Sequence, residues 1–143
     1  NNIKQISKSY LLVNPLLSSY DATLLRANQN LNKASIIISA IGIDMPIKTT
    51  EKDLIISEYP KGAIGHKQHA NRLVAALSES LVLFNSSEKI HKNLVSHFLS
   101  LEKNIHCFPK EGKNYNNELI RKGANPITSI KSITRDLDLE KLN

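Results

Sequence analysis

The run Ser35-Ile36-Ile37-Ile38-Ser39-Ala40 constrains the fold more than any other stretch of this chain. Consecutive β-branched residues without polar alternation suit a strand buried on both faces, the condition of a parallel sheet covered by helices. Similar short apolar runs recur at Leu11-Leu12-Val13, Leu54 to Ser57, Leu81 to Phe84 and Asn104 to Phe108, the last stopped by Pro109. Longer helical patterns separate them: Asp21 to Leu31 with Asp21 as N-cap, His69 to Ser78, Ser87 to Leu101, and Tyr115 to Lys122 with Gly123 as the C′ residue. This alternation predicts an α/β chain, a Rossmann-like three-layer sandwich around a mostly parallel sheet. Neither an internal repeat nor a linker interrupts it, so residues 1–143 are expected to form one domain. Lys110 to Asn117 reads as a surface loop, and Thr134 to Asn143 as a short helix or a frayed end.

Composition narrows the function classes. With 41% hydrophobic and 22% charged residues in 143, the chain can bury a core, and disorder is a poor default. It carries no apolar run of the roughly twenty residues a membrane helix needs, and Asn1-Asn2-Ile3-Lys4 does not resemble a secretory leader. The lone Cys107 has no partner for an internal disulfide or a thiolate metal site. Among the five histidines, His66 and His69 straddle a loop, and His91 and His97 are six apart, on different helix faces. A metal, a cofactor and a catalytic dyad are therefore not expected. These features favour a cytoplasmic protein without a membrane partner. The first residue is not methionine, which fits a fragment or a trimmed chain. A net charge of +6 suits an acidic partner, although lysine-rich composition alone gives the same number.

The segment with most chemistry is Ser57 to Ser78, SEYPKGAIGHKQHANRLVAALS. A buried strand leads through a Pro-Lys-Gly turn and a basic loop into a helix start. Such a start offers unpaired backbone N–H groups and the positive end of a dipole, a setting for phosphate. Lys61, Lys67 and Arg72 add full charges, and the Arg72 guanidinium can hold a phosphate bidentately. The plain alternative for Arg72 is a surface arginine. Asn71 lies beside it. Gly42 serves a turn or a ligand approach, and Glu58 a structural hydrogen bond. Lys89 and Lys92 supply charge near the fourth strand or simply coat a helix. Asn117 reaches a phosphate or sugar, or caps its helix locally. Lys110, Lys113, Arg121 and Lys122 form a basic strip or an ordinary solvated surface.

The same segment resembles the DNA-processing protein A family (DprA, or Smf), which carries S-E-Y-P, a variable loop, F-P-x-R-N-R and an apolar helix ending in L-S. Other stretches agree in the family's order. Asp21-Ala22 with Arg26-Ala27 resembles its D-A-A-A-H-R-A-A-L helix start, and Ser35 to Asp44 its T-I-A-V-L-x-x-G-L-D strand and turn. Asn117 to Ile120 with Gly123-Ala124 resembles its N-x-L-I-x-x-G-A ending. The resemblance runs from Leu11 to Ile133 and implies a bacterial Rossmann-like protein that binds single-stranded DNA without catalysis. It further implies delivery of that strand to the RecA recombinase in DNA uptake, competence, transformation or recombination, and a homodimer. The implied DNA-binding residues are Lys61, Lys67, Asn71, Arg72, Lys89, Asn117 and Arg121.

Several family features are absent. Asn14 to Asp21 has none of the glycines of S-G-x-A-x-G-I-D, and Asn85 to His91 lacks the S-G-S/T turn. Ala70 stands where the family has an arginine, and Lys67 where it has an aromatic, so contact there is expected to be mainly electrostatic. The G-S-R motif of the family's first strand has no counterpart here. Its loss is expected to remove one strand–helix unit and leave a sheet edge for another chain to cover. Two rival readings follow. One is a degenerate scaffold with a protein-interaction role. The other is a nucleotide-binding or hydrolysing enzyme of related fold, although the P-G-G-x-G-T-x-x-E signature of such enzymes is missing.

Overall fold

A computed structural model of the chain describes residues 10–130 and residue 133. The first strand, β1 (Leu12–Asn14), leads to α1 (Ser19–Asn30), then β2 (Ser35–Ser39) and β3 (Asp53–Ser57). Next come α2 (Lys67–Leu77), β4 (Ser80–Leu83), α3 (Glu88–Ser100) and β5 (Asn104–Cys107), followed by α4 (Tyr115–Arg121) and β6 (Asn125–Pro126). Every named strand pairing is parallel, and helices cover the sheets, as the α/β sandwich reading requires. The run Ser35 to Ser39 forms β2, flanked by β1 and β3, with Ile37 and Ile38 almost fully enclosed.

The sheet is divided. Strands β1-β2-β3 form one three-stranded sheet and β4-β5-β6 another. Among the described residues no pairing joins β1 to β4. Between them lies a cleft of about 930 Å³, lined by Leu12 and Val13 on one side and Leu81, Val82 and Leu83 on the other. The main core nevertheless spans both halves. Ile38 of β2 shares it with Leu83 and Ile105 of the second sheet, and with Ala70, Val74, Leu94 and Phe98 of α2 and α3. A smaller cluster of Ile127, Ile130 and Ile133 packs on Leu12, Val82 and Phe84.

Helix ends follow local chemistry. After α1, α3 and α4 the C′ residue takes a positive φ: Asn32, Glu102 and Gly123. Behind Gly123, the amides of Gly123 and Ala124 donate to the carbonyls of Ile120 and Leu119, the paired bonds of a Schellman end. The C-terminal end of α2 is closed differently. The Lys103 ammonium donates to the carbonyls of Ala75 at 2.6 Å and Ser78 at 2.7 Å, supplying charge where the dipole is negative.

Two local expectations change. Helix α1 starts at Ser19 with Ser18 at the N-cap position, and Asp21 lies in its first turn. The Asp21 carboxylate does not cap the helix; it accepts from the amide of Leu17, in the loop before the N-cap, at 2.8 Å. Strand β6 was not expected, because Asn125-Pro126 carries no strand pattern and forms only two residues of pairing at a sheet edge. The expected tail element at Thr134 to Asn143 lies outside the described residues.

Candidate nucleic-acid interface

The loops following β1, β3 and β4 meet at one end of the sheets. Lys67, at the start of α2, reaches back to the loop after β1, where its ammonium lies 3.4 Å from the Leu17 carbonyl. Asp21 follows that loop and interacts electrostatically with His91 of α3, which lies just past β4. Loops after β1, β3 and β4 therefore meet, the arrangement in which open α/β sheets bind ligands.

The segment after β3 is the most firmly built. Ser57 donates its hydroxyl to the Ile41 carbonyl at 2.5 Å and accepts from the Tyr59 amide at 3.0 Å. Pro60 to Ala63 makes a turn closed by the Ala63 amide on the Pro60 carbonyl at 3.0 Å, with Gly62 at φ +80°. A positive φ at that position selects glycine. Asp44 accepts from the Gly62 amide at 2.9 Å, fixing the turn to the loop after β2. Gly42 belongs to the same contact: a Cβ there would lie 2.7 Å from the Pro60 carbonyl oxygen. Between the two uses the sequence left open for Gly42, this close approach supplies the structural one.

Helix α2 begins at Lys67 after His66, whose side chain makes no capping bond, and its first turn contains no acid. The positive dipole end is therefore not neutralised from within the helix. Lys61 and Lys67 are exposed. Arg72 is engaged: its guanidinium meets the Glu58 carboxylate at 2.5 Å, with both side chains about half exposed. Tyr59 and His69 join the group through a 2.9 Å hydrogen bond between the phenol and Nδ1.

The remaining candidates separate into two sorts. Asn71 is 1% exposed and donates to the Asn93 side chain at 3.1 Å, so its side chain faces the α2–α3 contact and not the surface. Asn117 is saturated locally, accepting from the Lys110 amide at 3.0 Å and donating to the Gly112 carbonyl at 2.8 Å and to the Lys110 carbonyl. From the first turn of α4 it braces the loop that precedes the helix, so the loop expected over Lys110 to Asn117 ends at Asn114. Lys89 is exposed on the first turn of α3. Arg121 lies apart from the Lys61 group, beside a shallow cleft of about 500 Å³ shared with Lys113, Glu88 and Glu118. The acids there are paired with lysines, Glu118 with Lys122 at 3.1 Å and Glu88 with Lys92 at 3.8 Å.

Side chains replace the missing glycines. In the loop after β1, Asn14 accepts from the Leu16 amide at 2.9 Å, and Leu16 adopts a φ of 53°. After β4, Ser87 caps α3 by accepting from the Ile90 amide at 3.3 Å, while His91 Nδ1 accepts from the Ser87 amide at 3.0 Å. Burial holds the His91 imidazole below its ordinary pKa, and burial raises that of Asp21, whose bond from the Leu17 amide and whose His91 neighbour act against the rise. Asn116 is the buried polar residue of α4, beside buried Leu119. It donates to the carbonyls of Leu83, at 3.1 Å, and Phe108, at 2.9 Å, and contacts the Ser86 hydroxyl. It ties the ends of β4 and β5 together. Residue order gave no signal for Asn116 over Asn117.

Comparison with known proteins adds two findings. The model of the family described as DNA recombination-mediator protein A matches residues 43–138, more than half of the chain. No curated protein matches. Among solved structures, DNA processing protein A from Helicobacter pylori, described for its single-stranded DNA binding mode, aligns with a TM-score of 0.78. That alignment has 23% identity and covers 97% of this chain and 71% of the other, a likeness of fold. No described helix is long and apolar enough to cross a membrane.

Proposed function

The chain belongs to the DNA recombination-mediator protein A family, and from this membership we propose that it binds single-stranded DNA through the β3–α2 segment. The observation that carries the reading is the placement of Lys61, Lys67 and Arg72 around a helix start with no acid in its first turn. Lysine ammoniums neutralise phosphates as point charges, and Arg72 adds a planar fork that fits two phosphate oxygens. Binding is non-catalytic and reads the backbone, so little base sequence is selected. Within the family's recombination role, the bound strand is passed to RecA in the cytoplasm, and a homodimer is the working assembly. Lys89 contributes at the flank. Asn71 and Asn117 act indirectly, given the partners each already has, and Arg121 acts at the margin because it lies beside a separate cleft.

Titrating a labelled oligo-dT strand by fluorescence anisotropy at several salt concentrations tests the reading. Three phosphate contacts give a log–log salt slope of about −2 on single strands. Arg72→Ala should lower affinity and make that slope shallower by about 0.7. An excess of duplex should compete poorly. No binding even at low salt would sink the proposal and leave a scaffold whose partner is a protein.

A further inference from the structure

Ile64 is 91% exposed, the most open large apolar side chain among the described residues. Its backbone is nonetheless firmly held. Ile64 faces Ile41 across an antiparallel bridge, flanked by hydrogen bonds from the Gly42 amide to the Ala63 carbonyl at 3.2 Å and from the Gly65 amide to the Ala40 carbonyl at 3.0 Å. Gly65 permits the contact because a Cβ there would overlap the Tyr59 ring at 2.1 Å. The preceding turn is pinned through Gly62 to Asp44. Ile43, 58% exposed, lies in the turn packed against it. A braced loop that holds a β-branched side chain in water leaves its apolar area free to be buried by a ligand.

The charges around this apolar tip select the occupant. Lys61 and Lys67 flank Ile64 in sequence, and Arg72 lies on the next turn of α2. Of the two nearby acids, Glu58 pairs with Arg72 in an exposed contact that a phosphate can displace, and Asp44 binds the Gly62 amide. Of the cations around Ile64, Lys61 and Lys67 are therefore the ones without an ion pair among the described residues. A ligand matching this surface carries negative charge along a chain and apolar faces beside it. Single-stranded DNA has both, whereas a duplex hides its base faces. We propose that Ile64, assisted by Ile43, is the base-contacting surface of this protein, on which unstacked bases rest while Lys61, Lys67 and Arg72 hold the phosphates. The inference rests on the proposed function and adds the residues that favour single strands over other polyanions.

The test compares wild type, Ile64→Ser and Ile64→Trp on oligo-dT and on an abasic strand of equal length, by anisotropy across a salt series. Ile64→Ser should weaken oligo-dT binding about fivefold to tenfold, the scale of one apolar side chain removed from contact, with the salt slope unchanged. It should leave the abasic strand unaffected. Ile64→Trp should tighten oligo-dT binding because an indole offers a larger stacking face. Equal oligo-dT binding by wild type and Ile64→Ser would overturn the inference while leaving the function intact, and would assign the tip to an apolar protein partner. Equal losses on both strands would also overturn it, by showing an effect on the loop and not on bases. A wild type that binds neither strand overturns both proposals.

Discussion

Arg72 has a partner before any ligand arrives. Its pair with Glu58 is half exposed, so the net worth of the contact is small, about 0–1 kcal/mol. A phosphate can displace it at little cost. In the proposed interface Glu58 therefore competes with DNA, and Glu58→Gln should tighten oligo-dT binding about twofold to fivefold at low salt. Anisotropy measures this directly. A loss of affinity instead would mean that Glu58 orients the guanidinium toward the strand. Asparagines show where residue-scale reading fails. Asn116 and Asn117 are neighbours in sequence, yet one lies in the interior and the other folds onto its own loop. Adjacent helical positions differ by about 100° around the axis, and a helix as short as α4 has too few apolar residues to fix which face turns inward. Asn71 followed the same rule: its helix face, shared with Ala70, Val74 and Ala75, is the buried one.

Elements were more legible than residues. Runs of β-branched residues gave the strands and their parallel sense, because a strand covered on both faces needs no polar alternation. Gly123 marked the end of α4, since only a residue tolerant of positive φ fits that end easily. The N-terminus of α1 was misplaced by three residues: Asp21, expected as N-cap, lies in the first turn, and Ser18 holds the N-cap position without a side-chain capping bond, so no cap chemistry marks the start. Helix α3 supplies a measurable consequence of its own start. Burial lowers the pKa of His91 from its ordinary value. Unfolded chains then bind this proton from about pH 6.5 downward, before the folded protein does. Stability contributed by neutral His91 is present above that pH and is lost as pH falls through the window between the two pKa values. Thermal denaturation should show a falling Tm on acidification from pH 7, and His91→Gln should flatten that dependence. Asp21 acts with the opposite sign at lower pH, because its raised pKa favours the folded state when the carboxyl is protonated.

At the scale of the whole molecule, the division of the sheet between β1 and β4 was not legible in the sequence, because strand order leaves no local signature. The division predicts unequal protection within the core. Alternate residues along β1 and β4 direct their amides toward the cleft and away from a pairing strand. Hydrogen exchange should release these amides well before those of Ile37 and Ile38, which lie in a strand paired on both sides. Uniform protection across β1, β2 and β4 would show that the halves pair in solution.

Each half-sheet also draws its strands from one continuous portion of the chain, 12–57 for the first and 80–126 for the second. No described ladder spans the two portions, so strand registration never waits for distant segments to meet. Short-range pairings close small loops and form early, whereas the contacts of α2 with β1, β2 and α3 unite the portions through side-chain packing. The strand registers are thus set within two separate portions of the chain, and helix packing joins them. A destabilising change in α2 should consequently speed their separation while leaving each ladder able to re-form.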